Sequence, residues 1–292
     1  MASEPRCGFI GLGAMGEPMA RHLHAAGLLA GVANRSHGKA IVLAEELGVE
    51  AFAEPHELAR QCDIVLLCVT ADADVLGLVD TLGPFLRPRA VVVDHSTVGV
   101  QTARHAASEL EKHRACFLDA PVSGGVEGAR NGKLSVMVGG PEDALAFARP
   151  ALEAYSARIT HMGDTGSGQA AKAVNQVLVA GIAQAVTEGL ALAEALGLDP
   201  ERLLPTLAAG AAGNWFLDKR GASMLRNDFT PGFKLSLLHK DLTILRGMAH
   251  DAGIRATVIE QSLADYAELM ARGHGDEDTS ALIRLKRQAD AG

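Results

Sequence analysis

The sequence contains only four cysteines, and they are scattered with no CxxC pair. Three of them fall in apolar, strand-like runs, where a reduced buried thiol is the ordinary arrangement. The spacing therefore indicates neither a disulfide framework nor a zinc site. The eleven histidines show no ligand spacing such as HExxH. We expect no metal and a reducing, cytoplasmic location.

Positive charge is also scarce, because 27 Lys and Arg face 35 Asp and Glu, a formal net charge of -8. Nucleic-acid binders are more often basic, so we expect no nucleic-acid partner. The sequence has no uninterrupted run of eighteen apolar residues and no basic-then-apolar start, so neither a membrane partner nor a secretion signal is expected. The chain does have 292 residues, 48% of them hydrophobic, which suffices for about two domains.

The first half of the chain alternates short apolar runs with helical patterns. The runs predict strands at residues 6–11, 30–35, 63–69, 90–94, 115–121, 134–140 and 158–163, and the patterns predict helices at 14–26, 39–47 and 101–112. Continuous apolar strands separated by helices are typical of a parallel sheet covered on both faces. The fold class predicted for this half is therefore α/β.

The pattern changes near residue 163. Residues 169–196 are mostly Ala, Val and Leu without proline, which predicts one long helix that is apolar enough to be buried. Further helices are predicted at 200–209, 216–225, 238–252 and 258–272. We place a boundary at residue 162, between an α/β domain, 1–162, and an all-α domain, 163–292, joined by the long helix.

The segment GFIGLGAMG, residues 8–16, contains GxGxxG between a predicted strand and a predicted helix. Gly11 permits the tight turn, Gly13 lets the backbone approach a pyrophosphate, and Gly16 allows close packing of helix on strand. The helix N-terminus adds free N–H groups and the positive end of its dipole. An ordinary glycine turn would have the same letters, but the context favours a doubly wound, Rossmann-type dinucleotide-binding domain. The loop residues expected at the cofactor are Gly11, Leu12, Gly13, Ala14, Met15 and Gly16.

The second predicted strand ends in NRSHGK, residues 34–39, and this segment bears on the cofactor type. NAD-binding versions carry Asp or Glu about 20 residues past the loop, where it bonds the ribose 2′-OH. Here Asn34 and Arg35 are followed by the hydroxyl of Ser36 and the cation of Lys39, a set that suits a 2′-phosphate. The alternative is that Arg35 and Lys39 are merely solvated surface charges. We expect NADP, with NAD possible.

Four further segments occur in a fixed order after the glycine loop: DHST at 94–97, DAPVSGG at 119–125, GSGQAAKAVNQ at 166–176 and HKDL at 239–242. With these motifs the chain resembles the β-hydroxyacid dehydrogenases from residue 8 to about residue 285. That family includes 3-hydroxyisobutyrate dehydrogenase, tartronate semialdehyde (2-hydroxy-3-oxopropionate) reductase and the glyoxylate and succinic semialdehyde reductases. Residues 211–242 and 278–282 look most like the tartronate semialdehyde reductase branch.

The segment PVSGG follows a predicted strand and can present several N–H groups in one concave turn, which suits a carboxylate. A loop that only turns the chain would have the same composition. The resemblance implies that Ser123, Gly124 and Gly125 bind the substrate carboxylate.

Lys172 and Asn175 lie three residues apart on the long helix and therefore share a face. From composition alone, a lysine on an apolar helix could equally well reach out to the surface. The resemblance implies instead that Lys172 is the catalytic proton donor and acceptor, and that Asn175 helps to hold the substrate.

The resemblance implies several further contacts. Thr97, at the carboxyl end of a strand, lies beside the nicotinamide and the substrate, and the backbone of Val69 touches the cofactor. Lys240 reaches the cofactor from the helical domain. Apart from these matches, we expect Phe233 either to cover the ring or to pack in the core, and Asn214 and Trp215 to line the substrate pocket. His95 is a tempting base, but the family does not use that position so, and we interpret it as a structural histidine.

These features predict an NADP(H)-dependent oxidoreductase that interconverts a short 3-hydroxy acid and its semialdehyde. Within the family, the alternatives are 3-hydroxyisobutyrate dehydrogenase and glyoxylate or succinic semialdehyde reductase. Outside it, imine reductases share the architecture but usually place another residue type where Lys172 stands, and a non-catalytic nucleotide-binding module would not need that lysine. The apolar long helix indicates contacts between subunits, and the resemblance implies a homodimer or homotetramer.

Overall fold

The computed structural model describes residues 5–287. It divides into two compact units, Met1–Lys172 and Ala173–Gly292. This division falls ten residues after the boundary placed from the sequence. Residues 163–172 belong with the first unit because the backbone of this segment is hydrogen-bonded to Asp119, a residue of that unit.

The first unit is built on one nine-stranded sheet within the described residues. Its strands in chain order are β1 Cys7–Ile10, β2 Leu29–Ala33, β3 Glu50–Phe52, β4 Ile64–Leu67, β5 Val91–Asp94, β6 Cys116–Asp119, β7 Val122–Ser123, β8 Leu134–Gly139 and β9 Ser156–Gly163. Spatially they follow the order β3-β2-β1-β4-β5-β6-β8-β7, with β9 beside β8. The first six strands are parallel, and their order is that of a doubly wound dinucleotide-binding sheet.

Helices cover both faces of this sheet. They are α1 Gly16–Ala25, α2 His37–Leu47, α3 Pro55–Gln61, α4 Asp72–Leu82, α5 Val100–Lys112, α6 Gly125–Arg130 and α7 Glu142–Glu153. Strand side chains alternate between two cores, so that Ile64 and Leu66 join one and Val65 and Leu67 join the other. The continuous apolar strands are thus explained by burial on both sides, as predicted.

The sheet departs from the all-parallel expectation at one edge. Strand β8 runs antiparallel to β6 and β7. A parallel neighbour would need a crossover to the opposite end of the sheet. The chain instead continues from β6 into β7 and returns through the short α6, which leaves β8 pointing the other way.

The second unit is helical. The long helix α8, Ser167–Ala195, begins in the first unit and continues into the second. The remaining helices are α9 Pro200–Ala209, α10 Trp215–Leu225, α11 Leu235–Asp251, α12 Thr257–Ala271 and α13 Ile283–Lys286, with a 3-10 turn at Thr279–Leu282. Their apolar faces form one core of mostly Leu and Ala side chains. The all-α prediction is confirmed.

The long helix is less buried than its composition predicts. On its covered side Ala180, Ala183 and Leu190 are fully buried, but Val174 is 63% exposed and Leu178 61% exposed. The helices of the second unit pack against one face only, which leaves a stripe of aliphatic side chains uncovered. The helix also has the length and composition of a membrane span, a test that core helices of globular proteins pass as well.

Candidate active site

The three glycines of the loop between β1 and α1 have different surroundings. Gly11 has φ +98°, and a Cβ there would lie 2.3 Å from the carbonyl oxygen of Cys68. A Cβ on Gly16 would lie 1.9 Å from the oxygen of Gly11. Gly13 is exposed and a Cβ there would meet nothing within 4 Å. Two glycines therefore close the turn, while the third leaves the backbone open to a pyrophosphate, as the motif predicts.

Asn34 ties this loop to the end of β2. Its Oδ1 accepts a hydrogen bond from the N–H of Leu12 at 2.9 Å, and its Nδ2 donates to the oxygen of Ser36 at 3.1 Å. Leu12 is buried, Ala14 is exposed and Met15 is half-buried against the core. Asn34 thus links the glycine loop to the segment that follows β2.

The residues expected at a 2′-phosphate lie at the same carboxyl edge of the sheet. Arg35, Ser36 and Lys39 are all exposed, at the end of β2 and the start of α2. The Arg35 side chain is 89% exposed, and its Nη1 lies 3.7 Å from a carboxylate oxygen of Asp74. An ion pair this exposed contributes only about 0–1 kcal/mol. The cations therefore remain accessible to a ligand.

Thr97 and Val69 follow β5 and β4 at neighbouring positions of this edge. The N–H of Val69 donates to Ser96 Oγ at 2.9 Å. Gln169 brackets Thr97 from the long helix, because its Nε2 donates to the Ser96 carbonyl at 2.7 Å and its Oε1 accepts from the Val98 N–H at 3.2 Å. Sequence reasoning missed Gln169; the available signal was a polar residue three positions before Lys172 on an apolar helix.

The PVSGG segment forms a sharp turn between β7 and α6. Gly124 has φ +132° and Gly125 has φ +62°, and both values lie in the region that favours glycine. Ser123 is half-buried and Gly124 is exposed. The turn therefore needs its glycines for its backbone conformation, and Gly124 lies at the surface of the first unit.

Lys172 is buried and points at this turn. The side chain lies on α8, the residue is 8% exposed, and Nζ donates to the Val122 carbonyl at 2.9 Å. The lysine does not reach out to the surface. Since Val122 directly precedes Ser123, the structure brings the predicted proton donor beside the predicted carboxylate site.

Asp119 anchors the start of the helix that carries Lys172. Its two carboxylate oxygens accept from the N–H groups of Gly166 at 2.7 Å and Gln169 at 2.8 Å. Carboxylates stabilise helix N-termini in this way. Burial raises the pKa of Asp119, although its N–H partners act in the opposite direction. A Cβ on Gly168 would lie 2.4 Å from the Asp119 carbonyl oxygen, so this close approach requires glycine.

In the second unit a chain of side chains joins Asn175 to Lys240. Asn175 Nδ2 donates to Gln176 Oε1 at 2.8 Å, and Gln176 Nε2 donates to Asp241 Oδ2 at 2.7 Å. The other oxygen of Asp241 is 2.9 Å from Lys240 Nζ. Gln176 and Asp241 are buried. Sequence reasoning missed both, although each is the direct neighbour of a predicted site residue.

Phe233 and Asn214 have structural partners in the second unit. Phe233 packs partly against its core, and the Phe233 N–H donates to an Asp278 carboxylate oxygen at 3.1 Å. Asn214 is the N-cap of α10, since its side chain accepts from the Leu217 N–H at 2.9 Å. Trp215 follows it and is 53% exposed. The Asn214 side chain therefore has a partner within the protein.

His95 is a buried structural residue, as interpreted from the sequence. Its Nδ1 is 2.6 Å from the Ala120 carbonyl and its Nε2 is 2.8 Å from the Tyr155 hydroxyl. Burial lowers its pKa to about 4, from an ordinary value of 6.5. A neutral ring is therefore part of the core beneath the site.

Acid should destabilise the protein through this histidine. Because the folded pKa is the lower one, the unfolded chain takes up the proton first, so stability is complete above about pH 6.5 and falls toward pH 4. The loss from His95 alone is about 2 kcal/mol between pH 7.5 and pH 5. Urea unfolding at the two pH values should show this loss, and His95→Gln should remove it. The exposed His105→Gln is the matched control; an equal pH effect in all three proteins would contradict the assignment.

Within residues 5–287 the structure contains no group of three or more His, Cys, Asp or Glu side chains placed to hold a metal ion.

Two family models match the chain. The NAD-binding domain of 6-phosphogluconate dehydrogenase matches residues 6–163. A model described as NAD-binding of NADP-dependent 3-hydroxyisobutyrate dehydrogenase matches residues 166–286. Together they span both parts of the protein.

Relatives and solved structures agree with these models. The chain is 36% identical over 292 residues to a Mycobacterium bovis protein named probable 3-hydroxyisobutyrate dehydrogenase, covering 97% of this chain and 98% of the relative. The Mycobacterium tuberculosis 3-hydroxyisobutyrate dehydrogenase, solved with L-serine, has a TM-score of 0.88 at 33% identity, covering 98% of this chain and 100% of that chain. An imine reductase from a Pseudomonas species has a TM-score of 0.64 at 19% identity, covering 97% and 99% of the two chains, a likeness of fold alone.

All of these observations lead to one family: the glycine loop, the order of the sheet strands, the buried Lys172 beside the PVSGG turn, and the matches along the chain. The chain belongs to the β-hydroxyacid dehydrogenases and is an NAD(P)-dependent oxidoreductase.

Proposed function

We propose that this enzyme uses NADPH to reduce a short semialdehyde or 3-oxo acid to its 3-hydroxy acid, with tartronate semialdehyde as the preferred substrate. The observation that carries the proposal is the 2.9 Å hydrogen bond from Lys172 Nζ to the carbonyl of Val122, at the start of the PVSGG turn. One family model and one solved structure support it. The helical model is described as that of NADP-dependent 3-hydroxyisobutyrate dehydrogenase, and L-serine in the M. tuberculosis structure is itself a 3-hydroxy acid with a carboxylate.

The proposed chemistry gives a role to each predicted residue at the substrate. The Ser123 hydroxyl and the N–H groups of Gly124 and Gly125 bind the substrate carboxylate. Lys172 donates a hydrogen bond to the carbonyl oxygen and gives it a proton in the reducing direction, or takes that proton in the oxidising direction. NADPH, when bound, supplies the hydride. An ammonium group held in place by the Val122 carbonyl stabilises the transition state most, because negative charge develops on the substrate carbonyl oxygen at that stage. Asn175 orients the substrate or the lysine.

A substrate panel tests the function directly. Purified protein is given tartronate, methylmalonate and succinic semialdehydes, glyoxylate and a cyclic imine, and loss of reduced-cofactor absorbance is followed. We expect the highest kcat/KM with tartronate semialdehyde. A preference for methylmalonate semialdehyde would favour 3-hydroxyisobutyrate dehydrogenase, and a preference for glyoxylate or succinic semialdehyde the other reductases. Turnover of the imine alone would favour imine reductase, and no turnover with cofactor binding retained would favour a nucleotide-binding module.

Cofactor preference is tested by Arg35→Asp. The substitution replaces a cation that can pair with the 2′-phosphate by an anion that repels it and that can accept from a ribose 2′-OH. We expect the ratio of kcat/KM for NADPH to that for NADH to fall by about 10–100-fold, since charged hydrogen bonds contribute about 1.5–3 kcal/mol. Arg202→Asp, at an exposed position of α9, is the control. If Arg35→Asp leaves the ratio of the two kcat/KM values unchanged, Arg35 is only a solvated surface charge.

We also propose a homodimer or homotetramer that covers the exposed aliphatic stripe of α8. The stripe includes Val174, Leu178 and Ile182 at four-residue spacing, and Val258 of α12 lies beside Gly181 and is exposed as well. Complete burial of each such side chain contributes about 1.5–3 kcal/mol. Light scattering should give a multiple of the chain mass, and Leu178→Glu should reduce it. Val42→Glu, equally exposed on α2, should leave the mass unchanged.

The four cysteines are free thiols, which suits a reducing compartment and supports the proposed cytoplasmic location. Activity in fractionated cells, found with the cytoplasmic markers, is the expected result.

A further inference from the structure

Asp278 is a buried carboxylate on which several parts of the second unit converge. It is 1% exposed. Its Oδ2 accepts from the N–H groups of Gly232 at 2.8 Å and Phe233 at 3.1 Å. Its Oδ1 accepts from the N–H of Ser280 at 3.1 Å and its hydroxyl at 2.7 Å. One side chain therefore holds two successive N–H groups of a loop that is distant in sequence.

Arg220 of α10 is the charge partner of this carboxylate. Its Nε lies 3.3 Å from Asp278 Oδ1, and the arginine side chain is 19% exposed. Its Nη2 occupies the space beside Gly232, where a Cβ would lie only 1.9 Å away. The same guanidinium lies over the ring of Trp215, 5.5 Å from its centroid. The ion pair thus connects the loop at Phe233 to the aromatic ring at the start of α10.

The backbone around this pair is already well bonded. The N–H of Thr279 donates to the Phe233 carbonyl at 3.0 Å, and that of Asp278 donates to the Phe229 carbonyl at 2.9 Å. A buried ion pair is costly to maintain, and apolar side chains of similar size would often stabilise a fold as well. What this ion pair does that apolar side chains would not do is to fix Phe233 and Trp215 relative to each other.

We propose that Asp278 and Arg220 are positioning residues that hold Phe233 and Trp215 in the geometry needed for cofactor and substrate binding. The inference rests on the proposed function and on the two contacts expected from the sequence, Phe233 at the nicotinamide ring and Trp215 at the substrate. Asp278 acts through the two loop N–H groups, and Arg220 acts by occupying the space beside Gly232 and contacting the indole.

Intrinsic fluorescence gives a readout that does not depend on turnover, because Trp215 is the only tryptophan in the chain. The test compares the wild type with Asp278→Asn and Gly232→Ala in the full-length protein. The first variant removes the charge of the pair, and the second displaces Arg220 while both charges remain. Gly247→Ala on α11 is the matched control, because a Cβ there meets nothing within 4 Å.

We expect both test variants to shift the Trp215 emission maximum and to raise the Kd for NADPH, measured by quenching of that emission, by about tenfold, since small displacements of binding groups have effects of this order. KM should rise more than kcat falls, because Lys172 remains in place. The control should match the wild type in all three measurements.

The outcomes separate this inference from the proposed function. If NADPH does not quench Trp215 in the wild type and no semialdehyde is reduced, the proposed function fails. If the wild type binds and turns over, but the folded variants have unchanged emission, Kd and KM, the positioning inference is overturned. Circular dichroism establishes folding, and if Asp278→Asn does not fold, Gly232→Ala decides by the same measurements.

Discussion

Lys172→Ala is expected to lower turnover by about 10²–10⁴-fold, the range in which a positioned proton donor contributes. The wild-type ammonium is buried and held 2.9 Å from the Val122 carbonyl, so a water that replaces it would lack both its charge and its fixed position. Steady-state kinetics with the best semialdehyde of the panel measures the effect. Cofactor affinity, measured by fluorescence, should stay within a few-fold of the wild type, because the loop residues that would bind the dinucleotide are untouched.

Two companion variants make this result specific. Lys172→Arg retains a cation, but a guanidinium does not release its proton in proteins. The turnover of this variant should therefore also be low. Lys112→Ala removes an exposed lysine of α5 and should behave as the wild type. Near-normal turnover in Lys172→Ala, with cofactor binding intact, would remove the lysine from the mechanism.

The second large effect is expected at Gly168, although this residue carries no side chain. An alanine Cβ there would lie 2.4 Å from the Asp119 carbonyl oxygen and 2.5 Å from that of Met137. Both contacts are with backbone, so the first turn of α8 must move away from the sheet. We expect kcat to fall by about 10²-fold, because a shift of about 1 Å would misplace Lys172. Unfolding in urea should show a loss of about 1–3 kcal/mol as the hydrogen bonds to Asp119 are broken.

Gly189→Ala supplies the control on the same helix. A Cβ at that position meets nothing within 4 Å, and alanine is the better helix former by about 1 kcal/mol, so stability should stay the same or rise. Asp119→Asn should reproduce part of the Gly168→Ala effect, because one of its two acceptor oxygens becomes a donor facing an N–H group. If Gly168→Ala retains wild-type kcat and stability, the anchoring of α8 by Asp119 does not control the site.

The sequence indicated the local geometry of its motifs, but not the connections among them. Gly11 and Gly16 close their turn, Gly13 leaves its backbone open, and Lys172 lies beside the PVSGG turn. Gln169, Gln176, Asp241 and Asp119 were missed as positioning groups. Each of them acts on a partner at least 50 residues away, and no local spacing indicates which partner a polar side chain will find. Asn214, whose place at the substrate stays a prediction, caps the helix α10.

The sequence by itself predicted seven of the nine strands, the long helix and the four helices after it, the doubly wound parallel core and the family, because apolar periodicity and glycine requirements are local properties of the chain. It missed the short strands β3 and β7 and the helices α3, α4, α6 and α7. Only the tertiary structure decided that β8 reverses direction at the sheet edge, and that one side of α8 remains uncovered. It also decided that the Lys172 ammonium is buried rather than solvated. The direction of β8 depends on the connection through α6, which no local pattern specifies. The burial of α8 and of Lys172 depends on the segments that fold back upon them, and composition records only that a surface is apolar.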